Sequence, residues 1–233
     1  MPEETPAEWL LLNEEISCCR QCERLVEWRE SVAAARKRAY RDWVYWGKGV
    51  PGFGDLRARV LIVGLAPGAH GSNRTGRMFT GDASGDFLYA ALHRAGFASQ
   101  PTSYSRDDKL LLKDIFISAV GRCAPPDNKP TPQELNTCEP FLLREIGLLK
   151  QVEGVVALGR IAFDRLLKIY RWNDLPDASI YRFNHGAFYA PVSGRPWLLA
   201  SYHPSRQNTQ TGRLTVEMFD EIWLKTKSML TDY

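Results

Sequence analysis

No run of eighteen consecutive apolar residues occurs in the 233-residue sequence, so there is no candidate for a helical membrane span. The stretch MPEETPAEWLLLNEE lacks a basic segment followed by an apolar core, so it does not read as a signal peptide. The expected compartment is therefore the cytoplasm, and in a prokaryote the nucleoid. Cysteine is scarce and odd in number, at five, which argues against a disulfide framework. A strong charge imbalance is also missing. The net charge of +3 is too small to prove nucleic-acid binding, although it permits a local basic face. There is no internal repeat and no low-complexity linker, and one domain over residues 1–233 is expected. The phosphate-loop ending GK[ST] and the dinucleotide fingerprint G-x-G-x-x-G are both missing after the first apolar run, which excludes the standard nucleotide loops.

What is present is a repeated alternation. Four short apolar runs, RVLIVGL (59–65), DIFISAV (114–120), GVVALG (154–159) and PWLLASY (196–202), are continuous and bounded by turn residues. Strands buried on both faces have that pattern, and it implies a mainly parallel sheet. Helical patterns separate them at 84–97, 131–152 and 159–170, with a last one near 215–230. Thr131, Pro132 and Glu134 have the spacing of a capping box with proline at the first helical position. Residues 7–40 read as helical, and 41–58, with four glycines and a proline, as loop. The fold class is α/β, a three-layer α/β/α sandwich around a central four-stranded, mainly parallel sheet. Ligands bind such sheets beyond the carboxyl ends of the strands. The segments there are GLAPGAHGSNRTGRMFTGD, GRCAPPDNKPTP, GRIAF and HPSRQNTQTGR.

The cysteines are grouped. Cys19 and Cys22 form a C-x2-C pair, Cys123 follows a strand, and Cys138 lies early in the next helix. Four thiolates suit either zinc or an iron–sulfur cluster. The wide separation of Cys123 from Cys138 is unlike a zinc ribbon and favours a cluster over zinc; the plain alternative is buried structural thiols. Cys18 is the spare.

In the first loop, Gly64, Gly68 and Gly71 allow close backbone approach to a ligand, and Gly64, Ala66 and Gly68 are the candidates to line its pocket. Phe79 can stack on a flat ligand, and Asp82 is either a functional carboxylate or a helix N-cap. In the last loop, His203 at a strand end can donate a hydrogen bond into the same mouth. Arg74, Arg77, Lys129, Arg206 and Arg213 would form a basic rim suited to phosphates. Asn128 lies in the intervening loop.

Together, GLAPGAHGSNRTGRMFTGD, the cysteine set, RCAPPDNKPTPQE and SYHPSRQNTQTGR resemble the family 5 (B-type) uracil-DNA glycosylases known from thermophilic bacteria and archaea. The resemblance runs from about Cys19 to the last helix. It implies the uracil-DNA glycosylase fold. It also implies a [4Fe-4S] cluster on Cys19, Cys22, Cys123 and Cys138, carried by the N-terminal helical segment. The related family 4 enzymes have GEAPG with an activating acid, where this chain has Leu65, and an Asn that reads uracil, where this chain has Ala119. Both departures are typical of B-type enzymes and imply a wider substrate range, with hydroxymethyluracil, ethenocytosine and deaminated purines as candidates.

The expected reaction is hydrolysis of an N-glycosidic bond after the damaged nucleotide is flipped out of DNA. Asp82 would position water, His203 would donate to the departing base, and Phe79 would stack on it. Ala119, Asn128 and the loop glycines would line the base pocket. Ser205, Arg206, Gln207 and Asn208 would enter the duplex as a wedge. No Lys stands at the sugar carbon in these motifs, so no Schiff base and no strand cleavage are expected. A monomer is expected. Competing readings are a strictly uracil-specific glycosylase, a non-catalytic iron–sulfur DNA-binding module, and an electron carrier.

Overall fold

The computed structural model describes residues 5–231. Its strands are β1 (Phe53–Gly54), β2 (Val60–Gly64), β3 (Ile115–Ala119), β4 (Gly154–Leu158), β5 (Phe188–Tyr189) and β6 (Trp197–Ser201). They form one sheet in the order β1-β3-β2-β4-β6-β5. The central four are parallel, and all five residues of each are buried, as the continuous apolar runs require. The expected four-stranded sheet is thus the centre of a six-stranded mixed one. β1 and β5 are antiparallel edges of two residues each, too short to show any periodicity. Such short edges limit unwanted pairing with other chains.

The helices are α1 (Ala7–Cys18), α2 (Glu23–Ala35), α3 (Ser72–Thr75), α4 (Ala83–Arg94), α5 (Pro132–Leu148), α6 (Arg160–Ile169), α7 (Arg206–Gln210) and α8 (Val216–Thr231). Strand side chains alternate between two apolar layers. Val60, Ile62 and Ile117 face Leu88 and Leu92 of α4 and Phe219 and Trp223 of α8. Leu61, Val63 and Phe116 face Trp9 and Leu12 of α1, Leu142 of α5 and Phe163 of α6. This is the three-layer sandwich. The capping box forms as its spacing predicts: Thr131 Oγ1 accepts from the Glu134 amide at 3.2 Å, and Glu134 Oε2 accepts from the Thr131 amide at 2.7 Å.

The N-terminal segment is not the single helical stretch that residues 7–40 suggest. It breaks at Cys19–Cys22 without a glycine or proline. The break lets α1 pack on the sheet through Trp9, Leu12 and Ile16, while α2 turns its buried Arg29 toward Cys123. Tertiary placement therefore decides the boundary. No helix among the described residues is long and apolar enough to cross a membrane.

Candidate active site

Three segments meet beyond the carboxyl ends of the central strands. The loop after β2 folds back on itself through α3, which is buried throughout, and ends at Asp82, the N-cap of α4. Asp82 uses its two oxygens differently. Oδ1 accepts from the amides of Ser84 at 3.0 Å and Gly85 at 3.1 Å, an N-cap in the ordinary sense. Oδ2 faces the glycines of the same loop: a Cβ at Gly71 would stand 1.8 Å from it, and one at Gly68 2.7 Å. Those positions have no side chain because the carboxylate occupies the space. The residue therefore caps α4 with one oxygen and presents the other to the loop. Burial raises the Asp82 carboxyl above the ordinary carboxylate range, and the Gly85 and Ser84 amides oppose that rise.

Phe79 stands in the left-handed region with φ of 51°, an unusual conformation for a bulky residue. Neighbouring bonds hold it there: Tyr89 Oη donates to the Met78 carbonyl at 2.8 Å, and Thr80 Oγ1 to the same carbonyl at 3.1 Å. The ring lies over Gly64, where a Cβ would come within 2.9 Å of it. Gly64 is in register with Ala119 at the end of β3, so both pocket-floor positions have minimal side chains. On its other side Phe79 meets the His203 ring, with centroids 5.7 Å apart and planes tilted by 30°. Ala66 approaches Gly121 across the neighbouring strand end.

His203 follows β6. Asn208 fixes its backbone, with Nδ2 donating to the His203 carbonyl at 2.8 Å. Neither imidazole nitrogen has a hydrogen-bond partner among the described residues. Desolvation pulls the imidazole down to about 4, so it is neutral at physiological pH and can donate through one nitrogen.

The expected basic rim requires correction. Arg74 and Arg77 are 3% and 4% exposed and belong to the interior. Arg74 donates to the carbonyls of His70 at 2.8 Å and Gly81 at 2.7 Å, and stacks on Tyr40 and Trp43. Arg77 pairs with Asp108 at 2.7 Å and donates to Thr80 and Ser103. Each is held where it pins the loop and cannot reach a phosphate. Two of the expected wedge residues are also inward. Ser205 caps α7 by accepting from the Asn208 amide at 3.4 Å, and Asn208 supports His203. Arg206 and Gln207 are exposed on α7. Arg213 is exposed and stacks on Tyr202 at 4.7 Å. Asn128 and Lys129 are exposed at a tight turn, where Asn128 has φ of 57°.

The four thiols gather on the α2 side. Cys19 and Cys22 flank the helix break, Cys123 follows β3, and Cys138 is buried in α5. Each of Cys22, Cys123 and Cys138 feels the charge of others in the set, and burial pushes the Cys123 thiol up to about 12. None is in a disulfide, and Cys18 is exposed at the end of α1. Arg29, 1% exposed, donates to Cys123 Sγ at 2.8 Å and to the Cys19 carbonyl at 2.8 Å, while its Nε has no partner. Among the described residues, no three His, Cys, Asp or Glu side chains are gathered tightly enough to hold one metal ion.

Two supports are invisible to motif reading. The buried pair Arg122–Glu145, bonded at 2.6 and 3.0 Å, ties β3 to α5, and Glu145 also accepts from Ser118 and from the Gly52 amide. Tyr45 Oη meets His70 Nδ1 at 3.1 Å, joining the 41–58 loop to the site loop.

An α/β/α sandwich thus brings a desolvated carboxylate and a neutral imidazole to the carboxyl end of its central parallel strands, where sheets of this class bind their ligands. The profile of the uracil DNA glycosylase superfamily matches residues 51–227. The chain is 56% identical over 214 residues, 92% of this chain and 94% of the other, to the type-5 uracil-DNA glycosylase of Thermus thermophilus. It is 51% identical over 225 residues, 94% of each chain, to that of Mycobacterium leprae. To that of Mycobacterium bovis it is 50% identical over 219 residues, 94% of this chain and 80% of the other. The chain belongs to the uracil-DNA glycosylase superfamily, whose enzymes are DNA N-glycosylases.

Proposed function

We propose that this chain excises uracil from DNA by hydrolysis and that its substrate range extends to hydroxymethyluracil, ethenocytosine and hypoxanthine. The observation that carries the activity is the division of the Asp82 oxygens: Oδ1 caps α4, and Oδ2, outside the cap, faces the glycines of the site loop. In the reaction the flipped nucleotide enters the mouth between the loop after β2 and the loop after β6, where Phe79 stacks on the base. The glycosidic bond breaks toward an oxocarbenium-like sugar, and the bond electrons leave with the base. Asp82 Oδ2 orients the water that attacks the sugar carbon and takes its proton. His203 donates to the base as negative charge develops there, and being neutral it stabilises that charge without full proton transfer. The product is an abasic site in an unbroken strand.

The breadth rests on Ala119, in register with Gly64, where the related family 4 enzymes have an Asn that reads uracil. A panel of duplexes carrying G:U, G:hypoxanthine and ethenocytosine, read by alkali cleavage, tests it, and release of uracil alone would remove the breadth. Ala119→Asn should raise the uracil-to-hypoxanthine rate ratio, and an unchanged ratio would show that this position does not read the base.

The residues fit a [4Fe-4S] cluster held by Cys19, Cys22, Cys123 and Cys138: four unpaired thiols in electrostatic reach of one another beside a buried guanidinium. Thiolates on different corners of a cluster stand further apart than those on one ion. When bound it would supply a cross-link between the helix break, β3 and α5. Purified protein should be brown and contain iron on elemental analysis, whereas zinc without iron would refute the cluster.

A further inference from the structure

With Arg74 and Arg77 turned inward, the expected rim keeps only Lys129, Arg206 and Arg213 exposed, and residues 36–48, RKRAYRDWVYWGK, add a denser group of cations. The segment holds five cationic side chains against one carboxylate, more positive charge than the chain's net +3. Its aromatic residues clamp it to the site loop. Tyr40 and Trp43 stack on Arg74 at 3.9 and 4.2 Å, and the amides of Trp46 and Gly47 donate to the carbonyls of Arg74 and Asn73 at 2.9 and 3.0 Å. Tyr45 holds His70.

The cations stay in solvent, with Lys48 lying over the Trp46 ring at 5.5 Å. Arg36, Lys37, Arg38, Arg41 and Lys48 are all exposed. The one ion pair among them within the described residues is Arg41 with Asp42, at 3.9 Å and open to solvent. Arg36 instead donates to the Arg41 carbonyl at 2.7 Å, which braces the turn. Lys37 is near enough to His70 that its charge, after burial, lowers the imidazole pKa. His70 lies between Gly68 and Gly71, the two glycines that make room for Asp82. The strap therefore borders the catalytic loop.

We infer that the strap Arg36–Lys48 is a phosphate-binding surface that holds the DNA backbone flanking the flipped nucleotide, with the aromatics as its rigid mount and the cations as the contact. It deepens the glycosylase reading and rests on it for the choice of DNA among polyanions. Each phosphate neutralised by such a cation adds about 0.9 to the slope of log affinity against log salt.

The test is Lys37→Gln/Arg38→Gln against Lys113→Gln/Lys150→Gln, a control of equal charge change at exposed positions outside the strap. Binding of each purified full chain to a short, undamaged fluorescent duplex is followed by anisotropy between about 50 and 200 mM salt. The strap variant should bind roughly tenfold more weakly and lose about 1.8 from the slope, while the control keeps the wild-type slope. An unchanged slope in the strap variant, or an equal loss in both variants, would overturn the proposal. A thermal melt matching wild type shows that a loss is not unfolding, and Arg41→Gln alone, away from the His70 contact, should lose about 0.9. Since the duplex is undamaged, a failure of the glycosylase reading would leave this result standing.

Discussion

Asp82→Asn should slow base release by roughly 10²- to 10⁴-fold while leaving duplex binding and the fold intact. Asparagine caps a helix as well as aspartate does, and Oδ1 is the atom that caps α4, so the substitution keeps the cap and removes the charge. The carboxylate is desolvated, so its removal also relieves a cost, and the melting temperature should stay level or rise. Slow release with an unchanged or higher melting temperature separates chemistry from scaffold. A wild-type rate in Asp82→Asn would take the residue out of the mechanism and leave it a cap. The pH profile carries the same signature. The working form is ionised and its pKa is raised, so activity is lost as pH falls through a point above the ordinary aspartate range.

His203→Ala should cost roughly 10²- to 10³-fold at saturating DNA, with the largest loss for the poorest leaving base. The imidazole, at about 4, is neutral throughout the working range. It therefore acts as a fixed donor, and the rate should show no inflection near the ordinary histidine value. An inflection there that disappears in His203→Ala would mean that the imidazolium is the active form. Asn208→Ala should move in the same direction by a smaller amount, because Nδ2 of Asn208 sets the His203 backbone without touching the base.

The four central strands and the capping box were legible because burial on both faces and N-terminal capping leave local patterns. The break at Cys19–Cys22 was not, since no local breaker marks it and only the separate docking of α1 and α2 produces it. The placement of Asp82, His203 and Phe79 near the strand ends was legible from the order of the apolar runs. The division of the two Asp82 oxygens was not, because it depends on how Gly68 and Gly71 return past the helix start. Arginine position was the least legible property. A cation in a polar loop reads as surface charge, yet besides nearby carbonyls Arg74 meets the rings of Tyr40 and Trp43, and Arg77 meets Asp108, from distant parts of the chain.

The most direct measurement is single-turnover excision on an end-labelled G:U duplex by wild-type protein, with each time point split and run with and without alkali. The account predicts strand breaks at the uracil position only after alkali, from an abasic site in an intact strand, and their near-absence with Asp82→Asn. No alkali-labile site with wild-type protein, or breaks that form without alkali, would contradict it.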